Sequence, residues 1–178
     1  VDRGAKVGLR WARGPFEMMN RIGVGEACRM AAAYGETAGE GWHVPAFFAQ
    51  QGNTPWNFSY VDTIVQNGVA TITINRPEAM NALNVTVVSQ LTQAVAAANA
   101  NDDVTTIVLD GAGKAFVAGA DVKFFVDKIR ADAIPEIYDF TAEGHELLNM
   151  LEASSKTTIA LTTGLALGGG LELALSCD

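Results

Sequence analysis

Near the end of this 178-residue chain, the stretch Leu161 to Asp178 (LTTGLALGGGLELALSCD) sets one carboxylate, Glu172, just after three consecutive glycines, Gly168 to Gly170. Residues without a Cβ let the backbone come close to a ligand and take conformations closed to other side chains. The helical run that follows, Leu171 to Ser176, is expected to leave the amide donors of its first turn free, and an anionic oxygen is their natural acceptor. Glu172 stands between Leu171 and Leu173, surroundings expected to disfavour its charged form and so to suit proton transfer. A second small-residue corner, AGAD at Ala118 to Asp121, is placed to add a partner donor, since the amide of Ala120 lies beside Gly119 at a helix N-terminus. Donors for an oxyanion would then stand beside an acid or base.

Packing offers a different account of the same residues. A run of small residues before an apolar helix is also what close packing of helix on strand requires. Asp121 reads first as the cap of a helix beginning at Val122, ahead of any direct part in chemistry. Lys123 is either a solvated helix residue or a contact for a phosphate-bearing ligand. The glycine run is not a dinucleotide fingerprint, because Leu173 stands where GxGxxG needs its third glycine. Residues 158–176 are apolar, and Gly164 with Gly168 makes a GxxxG, but Glu172 and the glycine density argue against a membrane span.

The elements that must position these corners follow from periodicity. Thr63 to Val65 and Val69 to Ile74, joined by Asn67-Gly68, predict a β-hairpin with β-branched residues on both sides of a two-residue turn. NRPEAMNALN, Asn75 to Asn84, reads as a loop whose last residue caps a helix; Val87, Val88, Leu91, Ala94, Val95 and Ala98 form that helix's apolar face. Thr106 to Asp110 is a short buried strand, and Ala115 to Ala118 leads into the AGAD corner. A long helix from about Pro135 to Glu152 turns Ile137, Phe140, Leu147, Leu148 and Leu151 inward, which makes Glu143, His145 and Glu146 surface groups. Thr158 to Thr162 is the strand that delivers the chain to the glycine run. Strand, strand, helix, strand is an α/β order.

Composition sets the bounds. With 49% hydrophobic residues the chain can bury a core, and a net charge of −8 argues against nucleic acid or an anionic membrane surface as the main partner. Cys28 and Cys177 fit neither a disulfide framework nor a zinc pattern, so no metal is expected, and a reducing cytoplasm is the default location. No signal peptide is visible. Val1 in place of Met, and Asp178 directly after an unfinished apolar helix, read as cut ends.

Charge also divides the chain. Residues 1–60 carry six basic residues against five acidic ones, and the remainder six against fifteen. This shift, with a change from helical to alternating texture, puts a boundary near Ser59 to Asp62 and gives two segments, 1–60 and 61–178. In the first, Gly14-Pro15 opens a helix in which Phe16, Met19 and Ile22 recur until Gly23 stops it, and Ala27 to Tyr34 forms another. After it comes a loop, Gly39 to Phe58, whose Trp42, Phe47, Phe48, Trp56 and Phe58 read as anchors against a neighbouring domain. His43, alone in that loop, reads as structural or solvated.

Two resemblances organise these observations. LRWARGPFEMMNRIG, Leu9 to Gly23, resembles the C-terminal helical domain of 3-hydroxyacyl-CoA dehydrogenases; the nucleotide-binding domain and catalytic histidine of that family are not in this chain, so NAD is expected only upstream. GVATITINRPEAMNALN, GKAFVAGADVKFF and IALTTGLALGGGLELALSCD, in that order and spacing, resemble the crotonase, or enoyl-CoA hydratase, superfamily over nearly all of residues 61–178. The resemblance implies an incomplete crotonase-like spiral of ββα turns preceded by a short, mostly helical segment. It further implies a homo-oligomer, normally a trimer, acting on coenzyme A thioesters without a cofactor of its own.

Carried over by position, Ala120 and Gly169 match the oxyanion-hole amides. Ala120, Asp121, Val122 and Lys123, with Gly169, match the contact surface for the CoA thioester, and Glu172 matches the first catalytic glutamate of the hydratases. The second lies about twenty residues further on in that family and decides between hydratases and isomerases that work with one carboxylate. Joined, the two resemblances suggest a piece of a bifunctional β-oxidation protein that is inactive as it stands. A non-catalytic interaction fragment is the competing expectation.

Overall fold

A computed structural model of the chain describes residues 1–11, 13–39 and 42–178. Among the stretches read from sequence, Ala12 in the Leu9–Gly23 phrase and Glu40 and Gly41 in the aromatic loop lie outside them. The chain divides into two units, Val1–Phe58 and Ser59–Asp178.

The first unit is helical: α1 (Asp2–Gly8), α2 (Pro15–Ile22), α3 (Val24–Thr37) and α4 (Ala46–Gln51). Pro15 occupies the first turn of α2, where its missing N–H is no loss. The carboxylate of Asp2 accepts from the N–H groups of Phe16 and Glu17, both at 2.8 Å, so α1 supplies the anion at the N-terminus of α2. The aromatic loop differs from its expected form. Ala46–Gln51 is a helix, and Phe47, Phe48 and Trp56 close on one another and on Phe16 within the unit, with ring centroids 4.3–6.1 Å apart. They are anchors of their own unit, because Asn20 holds Trp56 by two hydrogen bonds to its backbone, at 2.7 and 2.8 Å.

In the second unit, β1 (Val61–Gln66) and β2 (Val69–Ile74) are an antiparallel hairpin. Asn67 and Gly68 take φ of 52° and 79°, the pair of positive values a two-residue turn of this kind needs. A 3₁₀ turn at Pro77–Ala79, then α5 (Val85–Asn99), β3 (Thr106–Gly111), β4 (Ala115–Val117), α6 (Val122–Arg130) and α7 (Ile134–Glu152) follow. The chain ends with β5 (Thr157–Leu161), β6 (Leu165–Ala166) and α8 (Gly169–Leu175). The main sheet runs β1-β2-β3-β5, with β2, β3 and β5 parallel, while β4 and β6 pair as a second small parallel sheet. After the hairpin, each passage therefore takes one strand of the main sheet, one of the small sheet, and then helix.

The sheet-facing sides of these elements make the core. Ala70, Ile72 and Ile74 alternate inward along β2, Ile107 and Leu109 along β3, and both are covered by Val87, Val88, Leu91 and Val95 of α5 and Phe140, Leu147 and Leu151 of α7. Asn84 caps α5, accepting from the Val87 N–H at 2.9 Å. No helix among the described residues is long and apolar enough to cross a membrane.

Candidate active site

The loop after β2 is the frame on which the first corner hangs. Asn81 is fully buried at its centre. Its Oδ1 accepts from the Arg76 N–H at 2.9 Å, and its Nδ2 donates to the carbonyls of Ala112 and Ala115 at 3.0 and 2.8 Å. Further along, the Leu83 N–H donates to the Gly119 carbonyl at 2.8 Å and the Leu83 carbonyl accepts from the Asp121 N–H at 2.7 Å. This is a parallel bridge between Leu83 and Ala120. In such a bridge the residue between the two bonded groups turns its own N–H to the far side. The Ala120 N–H accordingly meets no acceptor among the described residues. Gly119, at φ 87°, makes the turn possible.

The second corner is built from three glycines with three separate reasons. Gly168 takes φ 48° and ψ −125°, a conformation that penalises any Cβ. Gly170 packs so tightly on β4 that an added Cβ would run into the Val117 carbonyl. Gly169 lies between them, where an added Cβ would stand 3.3 Å from Leu83 Cδ1 and 4.0 Å from Glu172 Oε2. The expectation of a freely donating first turn is corrected here. Gly170 donates to Leu167, and Leu171 and Glu172 to Gly168, at 2.8–3.0 Å, because α8 begins at Gly169 rather than at Leu171 and these amides bond within its opening turn. The Gly169 N–H remains without an acceptor among the described residues.

Ala120, Gly169 and Glu172 line one cavity of about 230 Å³, together with Leu83, Phe140 and His145. Glu172 is exposed there, which corrects the reading of an apolar enclosure. Residues adjacent in a helix diverge by about 100°, so flanking leucines do not enclose the residue between them. Leu173 turns into the core, while Leu171, Glu172 and Leu175 face outward. His145 is exposed as expected for a surface group, yet it also borders the cavity. The signal was present in the sequence: Thr141, Gly144, His145 and Leu148, all of which line the cavity, follow the i, i+3, i+4, i+7 spacing of one helix face.

The other sequence-derived residues lie elsewhere. Asp121 caps α6 through Oδ1, which accepts from the Lys123 N–H at 3.2 Å, while Oδ2 accepts from Arg76 at 2.8 Å. Val122 and Lys123 are exposed, and Lys123 borders a separate cavity of about 280 Å³ with Asn84, Thr86 and Asp127. At the far end of α8, the Asp178 carboxylate accepts from the Thr158 N–H at 2.9 Å, and the Asp178 N–H returns to the Thr158 carbonyl at 3.0 Å. Burial pushes the Cys177 thiol up, against a lowering hydrogen bond from Thr158, and the charge of Asp178 adds to the rise. Among the described residues, no group of three or more His, Cys, Asp or Glu could hold a metal ion. The larger cavity of about 830 Å³ belongs to the first unit; Trp11, Met18, Met19 and Ile22 line it, with no carboxylate or imidazole among the described residues to serve as acid or base.

A family profile described as enoyl-CoA hydratase/isomerase matches residues 69–178. Among curated proteins, the chain is 44% identical over 110 residues to a probable enoyl-CoA hydratase of Mycobacterium bovis, covering 62% of this chain and 40% of that protein. It is 41% identical over 111 residues to a crotonyl-CoA hydratase of Syntrophomonas wolfei, covering 62% and 41%. Among solved structures, an enoyl-CoA hydratase from Bacillus anthracis superposes with a TM-score of 0.62 at 29% identity, over 67% of this chain and 46% of that one. Another from Bacillus halodurans gives 0.64 at 27% identity, over 67% and 48%. The chain spans about two-fifths of the length of the curated relatives it matches.

Proposed function

Because the chain belongs to the enoyl-CoA hydratase/isomerase family, we propose that its protein adds water across the double bond of 2-enoyl-CoA thioesters, giving 3-hydroxyacyl-CoA. The observation that carries this reading is the convergence of two acceptor-free amides, Ala120 and Gly169, with the Glu172 carboxylate on one cavity. Attack of a water oxygen on the β-carbon moves charge onto the thioester oxygen. Two fixed N–H groups aimed at that oxygen lower the barrier, and losing one such donor typically costs about 3 kcal/mol. Glu172, within reach of the same space, orients the water and takes its proton, and a proton is delivered to the α-carbon, so that H and OH of one water complete the addition.

The cavity size supports a division of the ligand. About 230 Å³ lies below the roughly 300–1,000 Å³ typical of sites that enclose a whole small molecule. It suits the reacting thioester end, while the remainder lies outside, where exposed Lys123 offers a cation to the phosphates. The first unit is read as the end of a 3-hydroxyacyl-CoA dehydrogenase C-terminal domain, with α2 opening at the Gly14-Pro15 turn. Its parent would then oxidise the product of hydration, a β-oxidation sequence in one protein. A double-bond isomerase is the second reading, since Glu172 on this cavity is a carboxylate that could equally carry a proton from one carbon to another.

The test is crotonyl-CoA hydration by the full-length protein and by its Glu172→Gln variant. A fall of about a thousandfold or more in kcat with thioester binding retained is expected. Little change would remove Glu172 from the chemistry and move the assignment to another activity of the family.

A further inference from the structure

Ala120 is held between two segments, and a single side chain reaches both. Arg76 Nη2 donates to Asp121 Oδ2 at 2.8 Å, and Nη1 donates to the Ala82 carbonyl at 3.0 Å. The pair is largely withdrawn from water, with side-chain exposures of 14% for Arg76 and 23% for Asp121. The guanidinium also lies 5.6 Å from the centre of the Tyr60 ring. Asp121 follows Ala120 in the chain, and Ala82 precedes Leu83, whose backbone brackets Ala120 by its two hydrogen bonds. One planar cation thus spans both sides of the bridge that turns the Ala120 N–H toward the cavity.

Capping α6 does not require this arrangement. The cap uses Asp121 Oδ1, which leaves Oδ2 for Arg76. Arg76 Nε is buried and meets no acceptor among the described residues, so its two Nη groups make the hydrogen bonds to the two segments. Two acceptors on two segments demand the fixed fork of a guanidinium; the single ammonium of lysine cannot serve both in the same geometry.

We propose that Arg76 is a positioning residue, which sets the Ala120 amide for the oxyanion by clamping Asp121 to the Ala82–Leu83 segment. The inference rests on the reading of Ala120 as an oxyanion donor. It acts on the transition state more than on the bound substrate, because a donor displaced by a fraction of an ångström still permits binding but no longer meets the developing charge.

The experiment uses the full-length protein with Arg76→Met, Arg76→Lys and Asp121→Asn, measuring kcat and KM for crotonyl-CoA beside hydrogen exchange of the Leu83 and Asp121 amides. In Arg76→Met, kcat is expected to fall about tenfold to a hundredfold with KM within about twofold of wild type. The two amides should exchange faster while core amides of β2 and β3 keep their protection. Arg76→Lys should recover part of the loss, and it carries the test if Arg76→Met does not fold. Unchanged kcat in a folded variant, or unchanged exchange at both amides, would overturn the clamp. A wild-type protein that hydrates no enoyl-CoA would instead overturn the functional reading, while faster exchange in the variants would still support the clamp as a feature of the bridge.

Discussion

The two corners that present free amides to the cavity reach the same result by different physics. Ala118 to Asp121 is held by polar groups supplied from far along the chain: the Leu83 backbone, the Arg76 guanidinium and, beneath them, the buried Asn81 amide. Gly168 to Gly170 is held by the absence of side chains, one glycine for its dihedral angles, one for contact with Val117 and one for the room it leaves beside Leu83 and Glu172. A corner made by hydrogen bonds can be weakened in steps, by removing one partner at a time. A corner made by steric exclusion fails at a single added carbon wherever that carbon meets backbone, as at Gly170.

The largest effect expected from this contrast is at Gly170. Gly170→Ala puts a methyl into the Val117 carbonyl, and overpacking of this kind should destabilise the protein by about 3 kcal/mol in urea titrations. Cys177 reports the site of the damage. Burial raises its thiol pKa in the folded state, which lowers the thiolate fraction at pH 7–8; loosening of α8 returns that pKa toward its ordinary value and should speed alkylation by iodoacetamide. Arg76→Met, which acts on the other corner, should leave that rate unchanged, and equal acceleration in both variants would erase the distinction between the corners.

Next in size is Asn81→Ala. It strands the Arg76 N–H and two carbonyls in the interior and places alanine at φ 57°, a loss of about 2 kcal/mol. Thermal melts of Asn81→Asp and Asn81→Ala sharpen the point, since the aspartate keeps the acceptor for Arg76 but loses both donor bonds.

Smallest in stability is Gly169→Ala. Its φ is ordinary and its new methyl would meet two side-chain ends, Leu83 Cδ1 at 3.3 Å and Glu172 Oε2 at 4.0 Å, so melting should move by no more than about 0.5 kcal/mol. The same methyl enters the ligand's space, and thioester binding measured by calorimetry should weaken clearly. A stability loss as large as that of Gly170→Ala would show that the three glycines share one packing role.

Local chemistry was readable in the sequence wherever a contact lies within a few residues. The Asn67-Gly68 turn, the Asn84 cap and the apolar face of α5 each follow from neighbours at spacings of two to four, and each is present as read. Longer connections left no local trace. The loop Asn75 to Asn84 holds three asparagines that look alike in sequence, and only the fold makes Asn81 a three-way tie across more than thirty residues to Ala112 and Ala115. Arg76 and Asp121 are 45 residues apart. Helix α1 has seven residues and no apolar stripe, and its Asp2 serves another helix fourteen residues on. The exposure of Glu172 has no trace in its flanking leucines, because helical neighbours diverge: Leu173 turns into the core, while Leu175, three residues on, stays on the outer side with Glu172.

The clasp between Thr158 and Asp178 closes a loop of 20 residues around the glycine corner, whereas the Arg76–Asp121 pair closes one of 45. With closure entropy growing as the logarithm of length, the shorter loop is cheaper to order by about 0.7 kcal/mol. In refolding, the Thr158–Asp178 clasp and the glycine turn inside it are therefore expected to order before the Arg76–Asp121 pair closes, whereas the docking of Gly170 on Val117, which spans more residues than either, completes last. The two corners would then be completed together, the glycine turn already shaped when β4 arrives to close on it.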